Sequence, residues 1–195
     1  MIKYVYKAAI IAGTAAAVLG LDVSAADQGI KIEIEKITVE DMVYTPFYRV
    51  DTEQDHEPGS AARWIRLGVY FRTEGGWIDE LEITQMALKP IVDTGKKVVL
   101  AETVQYINLE PGDHYVYVYL HPSYVKRYEI SDDDLDSAVV IRLDGKEAAH
   151  METAEHGEPG WSSVAGDTSA KGYLLNHAET PFWFINYDFK EVIKR

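Results

Sequence analysis

The chain has 195 residues, 47% hydrophobic and 26% charged, which excludes a disordered or collagen-like protein. Asp and Glu outnumber Lys and Arg by 32 to 19, and the net charge of −13 argues against nucleic acid or an anionic membrane surface as the main partner, both being polyanions. Cysteine is absent, so disulfides, zinc thiolates, thiol catalysis and a cysteine-linked lipid anchor are excluded together.

Met1 to Ala25 reads as an export signal that forms an N-terminal signal helix. Lys3 and Lys7 supply the positive start, Ala8 to Leu21 is an uncharged run, and Val23-Ser24-Ala25 places small residues at a cleavage site. The run is shorter than the roughly 20 residues a spanning helix needs, so cleavage is expected rather than retention as an anchor. The expected organisation is a signal over 1–25 and one domain over 26–195, with no membrane insertion once the signal is removed. Its location is then periplasmic or extracellular, in a bacterial envelope.

Beyond Ala25 the dominant period is two. Ile30, Ile32 and Ile34 alternate with charged residues, and Ile37 and Val39 continue one register out, which predicts a strand with a bulge. In Ala62 to Thr73, Ile65, Leu67, Val69 and Phe71 share one face, opposite Trp64, Arg66, Gly68, Tyr70 and Arg72. Trp77 to Val92 is a further strand whose apolar face changes sides near Gln85, as a second bulge would produce. Asp93-Thr94-Gly95-Lys96 signals a hairpin into a strand over Val98 to Leu109. After the turn at Glu110-Pro111-Gly112-Asp113 comes the clearest strand, His114 to His121. Pro122 to Tyr128 fits one short helix with proline in its first turn. Val139, Ile141 and Leu143 form another strand, Glu155 to Lys171 reads as one long loop, and Thr180 to Lys194 as an aromatic terminal strand. Seven or eight strands with hairpins and almost no helix predict an all-β, immunoglobulin-like antiparallel β-sandwich with one short helix.

Catalytic and metal-binding patterns are not matched. Ser131-Asp132-Asp133-Asp134-Leu135-Asp136 has alternate acids, but Ser137 stands where a calcium loop needs glycine and Leu143 where it needs glutamate. Glu53, Asp55 and His56 form a second acidic group that reads as a solvated loop. His150 and His156 lie near Glu152 and Glu155, at none of the usual zinc spacings. Asp79, Glu80 and Glu82 offer the carboxylates a glycosidase would use, yet no nucleophile elbow, phosphate loop or dinucleotide fingerprint accompanies them. No enzyme activity, metal or cofactor is expected.

The aromatic residues are more informative. Tyr115, Tyr117 and Tyr119 must share one strand face, and Trp64, Arg66, Tyr70 and Arg72 form a comparable stripe. With Phe182 and Phe184 from the C-terminal segment, these nine residues are the candidate interface, because Trp, Tyr and Arg are the usual anchors of protein contacts. Two other readings compete: that the stripes pack beneath the chain's own loops, or that the tyrosines stack on sugars. In the C-terminal segment, period two sets Trp183, Ile185, Tyr187 and Phe189 toward the core and Phe182 and Phe184 toward the tyrosine stripe.

Gly75-Gly76-Trp77-Ile78-Asp79-Glu80-Leu81-Glu82, and Tyr173-Leu174-Leu175-Asn176 leading to Thr180-Pro181-Phe182, resemble small exported proteins of the Verrucomicrobia, of the Akkermansia type. The resemblance implies an immunoglobulin-like fold, a link to type IV pilus-like gene clusters and a periplasmic or surface assembly role without catalysis. A pilin subunit keeps a long apolar helix, so an accessory or structural component fits this short run better. The expected partners are envelope or pilus-like assembly proteins, the chain itself included. A carbohydrate-binding module is the alternative, and a carboxylate-dependent hydrolase a more distant one.

Overall fold

The computed structural model describes residues 29–44, 62–91, 96–163, 168–169, 172–183 and 191–194. The signal segment, the acidic group at Glu53, Asp55 and His56, the turn at 93–95 and Phe184 to Phe189 lie outside these residues.

Two sheets face each other. The first has the order β1 (Lys31–Tyr44), β2 (Arg63–Glu74), β5 (Gly112–Leu120) and β9 (Leu174–Asn176). The second runs β10 (Val192–Ile193), β4 (Lys96–Leu109), β3 (Ile78–Ile91), β6 (Asp136–Leu143) and β7 (Lys146–Glu152), with β8 (Thr168–Ser169) parallel to β4. All other pairings are antiparallel. Strands β1-β2-β5 opposite β4-β3-β6-β7 reproduce the A-B-E and C′-C-F-G arrangement of an immunoglobulin-like sandwich.

Alternation in the sequence decides which side chains meet between the sheets. Ile65, Leu67, Val69 and Phe71 of β2 and Val116, Val118 and Leu120 of β5 pack on Leu81 and Ile83 of β3, Leu100 and Val104 of β4, and Val139 and Ile141 of β6. Burying each such side chain contributes about 1.5–3 kcal/mol, enough to hold the sandwich without a disulfide. One end is closed by α1 (Pro122–Tyr128), whose Tyr124 and Val125 join this core. His121 caps the helix by accepting from the Ser123 N–H, and Glu129, at φ 47, ends it.

The expected bulge in β1 is present, between Ile34 and Lys36, and a second shift follows between Glu40 and Val43. No bulge occurs at Gln85: the β3 register with β4 and β6 passes through Thr84, Gln85 and Met86 without a break. Both faces of β3 are apolar there because both are covered. Met86, Leu88, Ala138 and Val140 form a small second core on the outer side, sealed by Trp161 from a 3-10 turn (Trp161–Ser163) inside the expected long loop.

The C-terminal segment also departs from expectation. Asn176 and Glu179 make a reciprocal capping box around a 3-10 turn (His177–Glu179), and residues 181–183 form a turn rather than a strand. Phe182 is buried while Trp183 is 56% exposed, so Trp183 does not enter the core. A tight turn is favoured because the Thr180 hydroxyl donates to the His177 carbonyl (2.9 Å) and accepts from the Phe182 N–H (3.3 Å).

Candidate functional site

The tyrosine and tryptophan–arginine stripes lie side by side on the outer face of the first sheet. Register pairs Arg66 with Tyr119, Gly68 with Tyr117, Tyr70 with Tyr115 and Arg72 with Asp113. Gly68 makes room in this layer. A Cβ there would stand 2.6 Å from the Tyr115 ring and from the Thr38 hydroxyl, so only glycine lets the ring lie across β2.

One half of this face is sealed by the chain itself. Trp64, Tyr117, Tyr119 and Phe182 form a buried aromatic cluster. Phe182 stacks on Tyr119 (4.6 Å between centroids, 15°) and meets Trp64 edge-on (5.6 Å, 81°), while the His177 ring is edge-on to Tyr117 (5.1 Å, 89°). Four of the nine candidate interface residues, Trp64, Tyr117, Tyr119 and Phe182, thus pack against their own chain. The physical reason is that the 176–183 segment crosses the sheet at their position. Burial pushes the Tyr119 phenol above the ordinary tyrosine range and the His177 imidazole below the ordinary histidine range.

The other half stays open. Tyr70, 38% exposed, stacks on Tyr115 (4.0 Å, 14°). The Arg66 guanidinium lies over the Tyr115 and Tyr117 rings, 5.9 and 5.3 Å from their centroids, and pairs with Glu40 of β1. Glu40 also accepts from the Tyr115 hydroxyl (3.2 Å). Arg72 is exposed and donates to Asp113 (2.7 Å), with Glu35 at 3.8 Å, and its guanidinium holds the Asp113 carboxyl below the usual range. Stacked rings ringed by alternating charges combine an apolar anchor with a polar rim. Arg66, Tyr70, Arg72 and Tyr115 are therefore the members of the candidate interface that remain available. Phe184 lies outside the described residues.

Several other sequence candidates are held by partners within the chain. Asp134 accepts from the Ser131 N–H and hydroxyl (2.9 and 3.0 Å) and pairs with Lys89 (3.3 Å). Glu80 pairs with Lys194 (2.6 Å) and Glu82 with Arg142 (3.2 Å), so both carboxylates face cations on the outer side of the second sheet. Glu152 accepts from Ser162 and from the Gly160 N–H. Burial opposes its charge, yet these bonds hold its carboxyl below the ordinary range. His150 reaches Ser162 (2.9 Å), and His156 reaches the Asp133 carbonyl (2.5 Å). Among the described residues, no group of three or more His, Asp or Glu has metal-ligand geometry.

Two features escaped the sequence. Asp136, fully buried, accepts from the N–H groups of Glu155, His156 and Gly157 (2.7, 3.0 and 2.6 Å) and so fixes the start of the loop that carries Trp161. His114, also buried, lies between Glu191 (Nδ1 to Oε1 3.2 Å) and the Thr73 hydroxyl (Nε2 to Oγ1 3.0 Å), tying the C-terminal segment to the first sheet. No local pattern announces either, because each partner lies far along the chain.

A family model matches residues 23–195. The chain belongs to that family. Its fold is shared with the crystal structure of a protein from Akkermansia muciniphila, at 26% identity and a TM-score of 0.72, over 85% of this chain and 94% of that one. The resemblance to Akkermansia-type proteins and the all-β sandwich both hold. No curated protein matches.

Proposed function

We propose that the protein is an exported, non-catalytic component of a bacterial envelope assembly, pilus-like or related, and that it acts by binding other proteins. The observation that carries this reading is the open half of the outer sheet face, where exposed Tyr70 stacks on half-buried Tyr115 and the pair is bordered by Arg66, Arg72, Glu40 and Asp113. The structural match to an Akkermansia muciniphila protein agrees with the resemblance from which the envelope setting is inferred. Buried Trp64, Tyr117 and Tyr119 disfavour sugar stacking on the tyrosine stripe, since the rings such a module would offer lie under the chain's own segment.

A photo-crosslinking residue at Tyr70, with a control at exposed Thr103 on the second sheet, tests it in cells of the native host. The expected result is a discrete crosslinked protein product from position 70 and none from 103, in the envelope fraction, abolished by Arg66→Ala. Equal crosslinking from both positions, none from either, or recovery of the protein in the cytoplasm would overturn the proposal.

A further inference from the structure

A cleft of about 370 Å³ opens where the turn before β3, the β4–β5 turn and Glu191, just ahead of β10, converge. Trp77 stands at its mouth, 61% exposed, although Ile78 beside it is buried. The chain reaches Trp77 through Gly75, at φ 98, where a Cβ would lie 2.3 Å from the Gly29 carbonyl oxygen. The indole is held out of the core by strand alternation, and its face is available to a ligand.

The polar lining is largely pre-set. The side chains of His114 and Glu191 form the floor, both buried and hydrogen-bonded to each other, and Arg72 holds Asp113 in place. Asp113 thus already faces a guanidinium, Glu191 is hydrogen-bonded to the His114 imidazole, and Glu110 is left open to the cleft. Among the described lining residues, the carboxylates Glu110, Asp113 and Glu191 face the cleft and would repel an anionic ligand. What remains is a flat aromatic wall with Glu110 and Asn108 beside it, one an acceptor and the other both donor and acceptor. A ligand with one apolar face and an edge of hydroxyl groups fits that combination, and the volume lies within the range of small-ligand pockets.

We infer that this cleft binds a neutral saccharide, with a pyranose ring against Trp77 and its hydroxyls on Glu110, Asp113 and Asn108. The cleft shares Asp113 with the rim of the Tyr70–Tyr115 face, but the two tests read different residues, Trp77 and Tyr70, so either reading can fail without the other.

The test is a nitrogen-15 NMR titration with the methyl glycosides of glucose, galactose, mannose and N-acetylglucosamine, followed at the tryptophan indole signals. At least one glycoside should give a saturable, millimolar-range shift of the Trp77 indole while the buried Trp64 and Trp161 signals stay in place. Trp77→Ala should abolish binding with the rest of the spectrum unchanged, and Glu110→Gln should weaken it by about tenfold. The inference is overturned if no glycoside shifts the Trp77 signal, or if binding survives in Trp77→Ala. A response to butylammonium chloride without one to any glycoside overturns it as well, by assigning a cation site.

Discussion

Replacing Asp136 by alanine should lower stability by about 3–5 kcal/mol, because three backbone N–H groups would lose their shared acceptor in a buried site. Three backbone N–H groups, of Glu155, His156 and Gly157, converge on this one carboxylate and use both of its oxygens. Each hydrogen bond to a charged group contributes about 1.5–3 kcal/mol, but the three act as a unit and the freed loop regains water, so the total falls short of the sum. The consequence spreads because this loop delivers Trp161, whose indole donates to the Thr153 carbonyl (2.7 Å) and seals Met86, Leu88, Ala138 and Val140. Thermal unfolding should shift down by about 10 °C, at the 2–4 °C per kcal/mol usual for this size. Limited proteolysis should cut first between Thr153 and Ser163. Asparagine at 136 should also destabilise, since its NH2 group would face an N–H where an oxygen now accepts. A silent Asp136→Asn variant would mean the carboxylate does not hold the loop.

Phe182→Ala should cost about 3 kcal/mol, the lower end of the range for a buried phenylalanine. The ring covers Trp64 and Tyr119, and its removal leaves both facing a void that the 181–183 turn is too short to fill. Truncation after Glu179 should cost at least as much, because it also removes Glu191 from His114 and the pairing of β10 with β4. Since the segment docks on its own chain, the wild-type melting temperature should not change with protein concentration. A fall on dilution would show that neighbouring subunits exchange the segment. An unchanged melting curve for the truncated protein would remove the segment from the fold.

Period two in β2 and β5 was enough to place the core and to align the two aromatic stripes, because alternation fixes faces whatever the neighbouring strand is. Pro122 to Tyr128 was legible as a helix for an equally local reason, proline in its first turn, and the His121 cap before it is what the structure adds. Errors arose where a distant segment decides the environment. Met86 and Leu88 look like a change of face until Trp161 covers the outer side of β3. Asp136 ends an acidic run that has the look of a calcium loop without its glycine and glutamate, and only the N–H groups of 155–157 make it a buried anchor. Trp183 follows the alternation rule on paper, but Thr180 turns the chain before a strand can form. The candidate interface was half legible for the same reason. Composition and register find all the aromatic residues of the face, but which of them the C-terminal segment covers is a tertiary fact.

Hydroxyl-radical footprinting of the tyrosines, in the purified protein and again in intact envelopes, tests the division of this face most directly. The purified protein should be modified at Tyr70 and resist modification at Tyr117 and Tyr119, which lie beneath Phe182 and His177. In envelopes Tyr70 should become protected, with Tyr117 and Tyr119 unchanged. Equal modification of Tyr70 in both settings would contradict a partner on the open half, and ready modification of Tyr119 in the purified protein would contradict the sealed half.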